Sequence, residues 1–155
     1  MSFFAYTMEY RGGLIDEELS LRSYAPEDYE QYKRIYEDSF YAMRSSLGLP
    51  RECCKSRTEL LEKRDCIFIL EENGDIVGSV AVYGGEIDDL FVAEGFRRRG
   101  LGLKLLRYAV SYLQKHNAER IFLHAADVNK GAVTMYLRSG FVITETEELG
   151  TSPIM

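Results

Sequence analysis

Leu90-Phe91-Val92-Ala93-Glu94-Gly95-Phe96-Arg97-Arg98-Arg99-Gly100-Leu101-Gly102 is the stretch from which the fold can be read. An apolar β-type run ends at Val92. A short basic turn with glycines follows, and a helical apolar pattern begins at Leu101. Strand, amide-rich turn and helix N-terminus, in that order, make a site for an anion. The first helical turn leaves backbone N–H groups free, and the helix dipole favours negative charge beside them. Gly100 and Gly102 let the backbone approach a phosphate with no Cβ in the way. Arg97, Arg98 and Arg99 add positive field and forked donors.

The spacing excludes two other phosphate loops. A P-loop ends in Gly-Lys-Ser/Thr, which is absent, and Leu105 holds the place of the third glycine of a dinucleotide fingerprint. What remains, Arg97-x-x-Gly100-x-Gly102, resembles the acyl-CoA pyrophosphate loop of the GCN5-related N-acetyltransferases. Leu90-Phe91-Val92 is similar to that family's fourth-strand signature. Asn129-x-x-Ala132-x-x-x-Tyr136-x-x-x-Gly140-Phe141 is similar to its fourth-helix and sixth-strand signature. The resemblance is best over residues 76–141 and extends back to Leu19; residues 1–18 have no place in it.

Working outward, the pattern gives a mixed α/β sheet. Residues 3–10 are β-rich and read as an extra N-terminal strand or arm. Residues 19–24 alternate as a strand, and Ala25-Pro26-Glu27-Asp28 starts a helix whose apolar face is Tyr29, Tyr32, Ile35, Tyr36 and Phe40. A second helix is expected over residues 51–63. Residues 66–70 and 76–83 form a hairpin about Asn73-Gly74-Asp75, and Gly84-Gly85 turns the chain into residues 86–92. Leu105, Leu106, Ala109, Val110 and Leu113 mark a long helix, and residues 121–125 a strand parallel to the one before it. Val133, Tyr136 and Leu137 mark a last helix, with Gly140 at its C′ position, and residues 141–146 a last strand. Antiparallel strands followed by a βαβ unit, with helices on both faces, is the acyl-CoA N-acyltransferase (GNAT) fold that the resemblance implies. The family usually ends in a further long strand, but after Gly150 only Ser152-Pro153-Ile154-Met155 remains for one. The far wall of the acceptor site is then short, or completed by a second subunit in a homodimer.

At 155 residues and 46% apolar content the chain fits a single domain, residues 1–155. A formal charge of −6 argues against nucleic acid as a partner. No apolar run is long enough to span a bilayer, and the first residues lack the basic and apolar regions of a secretory signal. Cys53, Cys54 and Cys66 form neither a disulfide framework nor a metal spacing, so no metal and a reducing cytoplasm are expected.

The resemblance also implies roles. The backbone of Leu90, Phe91 and Val92 would pair with the pantetheine arm of acetyl-CoA, and Arg97, Arg98, Arg99, Gly100, Leu101 and Gly102 would hold its pyrophosphate. Asn129 would touch the arm. Tyr136 would give a proton to the leaving thiolate, and Glu86 would be the general base, with Asp88, Asp89 or a water relay as rivals. Independently of the family, the apolar positions Ile87, Leu90 and Val92 switch parity across Asp88-Asp89, as a β-bulge would require. His124 reads as a core histidine and His116 as a helix-end cation. Met43, Arg44 and Leu47 fall in the segment that shapes the acceptor pocket in related folds, suiting an acceptor with an apolar part and a carboxylate for Arg44. The expected activity is direct transfer of an acetyl group from acetyl-CoA to the primary amine of a small molecule or peptide. The alternatives are a longer acyl donor, or a non-catalytic acyl-CoA-binding regulatory module.

Overall fold

The computed structural model describes residues 2–150. Strands β1 (Ser2–Tyr10), β2 (Arg22–Ser23), β3 (Ile67–Glu72), β4 (Asp75–Tyr83), β5 (Glu86–Val92), β6 (Phe122–Ala126) and β7 (Phe141–Gly150) form one sheet. Its order is β2-β3-β4-β5-β6-β1-β7. Every pairing is antiparallel except β5 with β6, the two strands joined through helix α3 (Leu101–Lys115). A strand that must return parallel needs such a crossover.

Each face of the sheet has its own core. Ile67, Ile69, Ala81 and Phe91 pack with Tyr24, Tyr32 and Ile35 under helix α1 (Tyr29–Ser46) and with Leu60 of α2 (Arg57–Glu62). Phe68, Val80, Val82, Ile87 and Leu123 pack under α3 against Leu105, Leu106, Ala109, Val110 and Leu113. Helix α4 (Lys130–Arg138) adds Met135 and Tyr136 to that second cluster. Leu105 and Leu106 are fully buried, so truncating either to Ala costs about 2–5 kcal/mol.

Three local outcomes differ from the sequence reading. The strand expected over residues 19–24 pairs only at Arg22 and Ser23, opposite Ile69 and Phe68. The helix expected over 51–63 is confined to Arg57–Glu62, where Ser56 and Glu59 form a reciprocal capping box. The preceding 51–56 segment is irregular because Glu37, buried on α1, takes the backbone N–H groups of Cys53 and Cys54 at 3.0 and 3.2 Å. A helix over those residues would need the same N–H groups differently placed. Finally, β7 runs to Gly150, four residues beyond the expected end.

The largest difference concerns the sheet's far half. Residues 152–155, considered above for a closing strand, lie outside the described residues. The strand between β6 and β7 is β1, antiparallel to both: Thr7 faces His124 on one side and Glu145 on the other. The chain's own first strand therefore fills the position for which a second subunit was considered. From Tyr10 the chain crosses to the opposite edge as a strap over α3. Gln114 receives the Ile15 N–H and donates to the Gly13 carbonyl, and Arg107 pairs with Glu17 at 2.9 Å.

Candidate active site

Strands β5 and β6 meet at a single parallel register pair, Glu86 with Phe122, and then part. Gly85 fixes the meeting point: a Cβ there would lie 2.0 Å from the Arg120 carbonyl oxygen. Below it the edge of β5 beyond Asp88 has no strand partner on the β6 side. Two adjoining spaces open in that gap.

The first is a groove of about 710 Å³ along Leu90, Phe91 and Val92, floored by the turn at 97–102 and walled by α4. Gly100 adopts φ +75° ahead of α3, a conformation costly for any residue with a Cβ, and no side chain caps the helix. The first intrahelical N–H to find an acceptor is that of Lys104, on the Gly100 carbonyl at 3.1 Å. The N–H groups of Leu101, Gly102 and Leu103 thus stand open at the positive end of the dipole. A Cβ on Gly102 would come within 3.9 Å of Val92 and 4.0 Å of the Met135 sulfur, across the groove. Arg97 and Arg98 line the groove. Arg97 folds back to donate from Nε to the Val92 carbonyl at 3.1 Å, which ties the turn to the end of β5. Arg99 is outside the lining and pairs with Glu72 at 3.4 Å. Asn129 begins α4 but makes no side-chain cap; it lines the groove together with Gly131 and Ala132.

The second space is a cavity of about 230 Å³ between α1, the 51–56 segment, β5 and β6. Its wall includes Tyr36, Met43, Arg44, Cys53, Asp88, Asp89 and His124. Leu90, Asn129 and Tyr136 line both spaces, so the two communicate there. The bulge inferred from the parity switch is present. Between Ser79↔Phe91 and Ala81↔Asp88 strand β5 spends one residue more than β4, and Asp89 takes φ +50°. Both carboxylates consequently line one cavity.

The two aspartates have different surroundings. Asp89 is buried and accepts from Lys55 Nζ at 2.7 Å, Tyr36 hydroxyl at 2.8 Å and Tyr83 hydroxyl at 3.1 Å. Burial works against the Lys55 ammonium, but the Asp89 hydrogen bond and the charges of Asp89 and Asp88 together outweigh it and raise its pKa. Asp88 faces the cavity and accepts only the Asp89 N–H, at 2.8 Å. Protein crowded around the cavity mouth, then the neighbouring Asp89 charge, push the Asp88 carboxyl above the usual range. Burial, then Asp88, push the Tyr136 phenol up to about 12.

Glu86 is outside the lining of both spaces. Its carboxyl, also raised by burial and by Asp88, lies 3.6 Å from His124 Nε2, while His124 Nδ1 is 3.2 Å from the Thr7 hydroxyl. His124 is therefore a cavity residue, half exposed, and not the core histidine the sequence suggested. Leu47 is buried away from the cavity that Met43 and Arg44 line.

The acetyltransferase (GNAT) family model matches residues 22–141. The chain belongs to that family. A curated relative, the uncharacterized N-acetyltransferase YobR of Bacillus subtilis (strain 168), is 30% identical over 130 residues, which is 82% of this chain and 44% of YobR. The chain spans about half the length of the curated relatives it matches. Among solved structures, a GNAT-family protein from Novosphingobium aromaticivorans shares the fold with a TM-score of 0.71 at 14% identity, over 99% of this chain and 66% of that one. A Mycobacterium tuberculosis protein solved in complex with CoA has a TM-score of 0.52 at 15% identity, over 68% of this chain and 63% of that one. Among the described residues no helix is long and apolar enough to cross a membrane.

Sequence reasoning missed Tyr36, Tyr83 and Lys55 as the residues that hold Asp89. Each reads as core or surface by periodicity, and they converge only because α1 and the 51–56 segment close over the bulge.

Proposed function

We propose that the protein is an acyl-CoA-dependent N-acetyltransferase that passes an acetyl group directly to a primary amine in a ternary complex. The observation that carries this reading is the junction at Tyr136, where a groove ending in open helix amides meets a cavity holding a carboxylate of raised pKa. Family membership and the CoA complex of the M. tuberculosis protein support the donor. The groove suits CoA: the unpaired edge at Leu90, Phe91 and Val92 offers main-chain partners to the amides of the pantetheine arm. The turn of Arg97, Arg98, Gly100, Leu101 and Gly102 offers amides and guanidinium groups to the pyrophosphate, with Arg99 contributing field rather than contact. Asn129 faces the arm.

When bound, acetyl-CoA supplies a thioester carbonyl at the junction. Asp88 accepts a proton from the acceptor ammonium, freeing the nitrogen lone pair to form the new C–N bond. Tyr136 donates its phenolic proton to the sulfur as the C–S bond breaks. The second proton that the nitrogen sheds as the amide forms returns through solvent to the phenolate, and Asp88 passes its own proton to solvent. Asp88 stands ahead of Glu86 as the base because it lines the cavity, and Glu86 reaches the cavity only through His124. A general base must reach the proton it takes, directly or through one water. Acetyl-CoA with a panel of amines, read by release of free thiol, tests the activity. CoA binding without thiol release for any amine would favour a binding module, and preference for longer donors would favour a broader acyltransferase.

A further inference from the structure

Of the charged residues lining the acceptor cavity, Asp89 is paired with Lys55, whereas Arg44 and Asp88, of opposite sign, are in no ion pair of the described residues. Six arginines, Arg22, Arg51, Arg57, Arg99, Arg107 and Arg120, meet a carboxylate on the protein, and several others do not; of the unpaired ones Arg44 is the arginine that lines the cavity. Arg44 is among none of the ion pairs of the described residues, although it is half-buried in the cavity wall. Its Nε donates to the Pro50 carbonyl at 2.8 Å, which fixes the plane of the guanidinium and leaves the Nη side of the fork for another acceptor. A position in the last turn of α1 suits a cation by the helix dipole alone, but that uses none of the fork's donors. Asp88 lines the same cavity and forms no ion pair: the Lys55 ammonium is bonded to Asp89, and Lys55 and His124 act on Asp88 only from a distance. Phe40, Met43 and Leu90 give the same cavity an apolar part of its wall. At about 230 Å³ the space suits a small metabolite or a single side chain.

We infer that the acceptor is a small aminocarboxylate, such as a free amino acid, with its ammonium on Asp88 and its carboxylate in the fork of Arg44. Guanidinium and carboxylate match as two parallel hydrogen bonds, so a neutral isostere leaves donors unpaired in a partly desolvated wall. This rests on the acetyltransferase reading above and names the substrate class of that same site.

The test pairs acceptors that differ only in the carboxylate: amino acids against their amides, and ω-aminocarboxylates of three to six carbons against the matching alkylamines. Thiol release gives kcat/KM for each, and calorimetric titration of the CoA-loaded protein gives binding without turnover. The wild type is expected to prefer the carboxylate member of its best pair by tenfold or more. Arg44→Gln should collapse that ratio toward one, and Arg44→Lys should keep part of it. Equal use of both members, or a preference that survives Arg44→Gln, overturns the inference while leaving acetyl transfer intact. Arg44-dependent binding of aminocarboxylates with no thiol release keeps the inference and overturns acetyl transfer. Binding of neither member overturns it outright.

Discussion

The groove and the cavity are made in different ways. The groove is built from chain neighbours: β5, the turn after it and the first turn of α3 form one segment, and its functional atoms are largely backbone. The cavity is built from side chains that are far apart in sequence, with α1, β5 and β6 each giving four residues and the 51–56 segment giving Cys53. Backbone donors exist wherever the fold is right, so the groove tolerates varied side chains. The cavity's chemistry is set by each residue separately. One fold can therefore keep a common donor while its acceptor changes.

Substitutions on the cavity side should have the larger effects on turnover and little effect on CoA. Asp88→Asn is expected to lower kcat by about 10²–10⁴-fold, the range for a lost general base, with the calorimetric affinity for CoA within about twofold. Glu86→Gln should cost less than Asp88→Asn. A larger loss for Glu86→Gln would move the proton route to the Glu86–His124 pair and redraw the cavity's chemistry. The pH profile checks the sign. Asp88 works as a base only when ionised. Its side chain is solvent-exposed, but the protein crowded around the cavity mouth and then the Asp89 charge raise its pKa, so kcat/KM should fall as pH drops through that raised value. The same shift means that the folded state favours the protonated carboxyl. Asp88→Asn should therefore raise Tm at neutral pH, the gain shrinking as pH falls into the carboxylate range.

Tyr136 lines both spaces, so its removal tests whether they work together. Tyr136→Phe should lower kcat by about 10²-fold, the lower end for a general acid, with donor and acceptor affinities little changed. Its phenol, pushed up to about 12, stays protonated through neutral pH and so adds no limb to the profile there. On the groove side, Gly100→Val tests the backbone alone. A side chain at φ +75° costs about 1–2 kcal/mol, which at RT ≈ 0.59 kcal/mol is roughly a tenfold loss. That loss should fall on CoA affinity to the extent that the free turn relaxes out of the left-handed conformation, and otherwise on Tm, with kcat at saturating donor nearly kept.

The same contrast explains how far the sequence could be read. Arg97 to Gly102 was legible because helix start, glycine spacing and charge are all local. The bulge was legible from parity at Ile87, Leu90 and Val92. The order of the strands from Ile67 to Val92 followed from their turns. The place of β1 was not legible: nothing in residues 2–10 says which strands they separate, since that depends on pairings more than a hundred residues away. The resemblance puts Glu86 first with Asp88 and Asp89 as rivals, because adjacent acids in one strand carry no local sign of which carboxylate faces a cavity. The partners of Asp89 were invisible for the related reason that a tyrosine at helical spacing reads the same whether its hydroxyl meets water or a buried carboxylate.

That last case yields the smallest expected effect and the finest test of the contrast. Asp88 is held by the Asp89 N–H, and the Asp89 backbone sits at φ +50°, an uncommon conformation for an aspartate that its surroundings must sustain. Tyr36, Tyr83 and Lys55 sustain it by holding the Asp89 carboxylate from three sides. Tyr36→Phe removes one of three donors and leaves the ring packed on Phe91. A lost hydrogen bond to a charged group is worth about 1.5–3 kcal/mol, and the two remaining donors should hold the effect near the lower figure. For a chain of this size that is a Tm decrease of about 3–6 °C. Turnover should fall only a few-fold and CoA binding should not change, because the substitution loosens the bulge without touching the groove. If Tyr36→Phe weakened CoA binding as much as turnover, the two spaces would share one rigid frame, and the division between a backbone-made groove and a side-chain-made cavity would not describe this molecule.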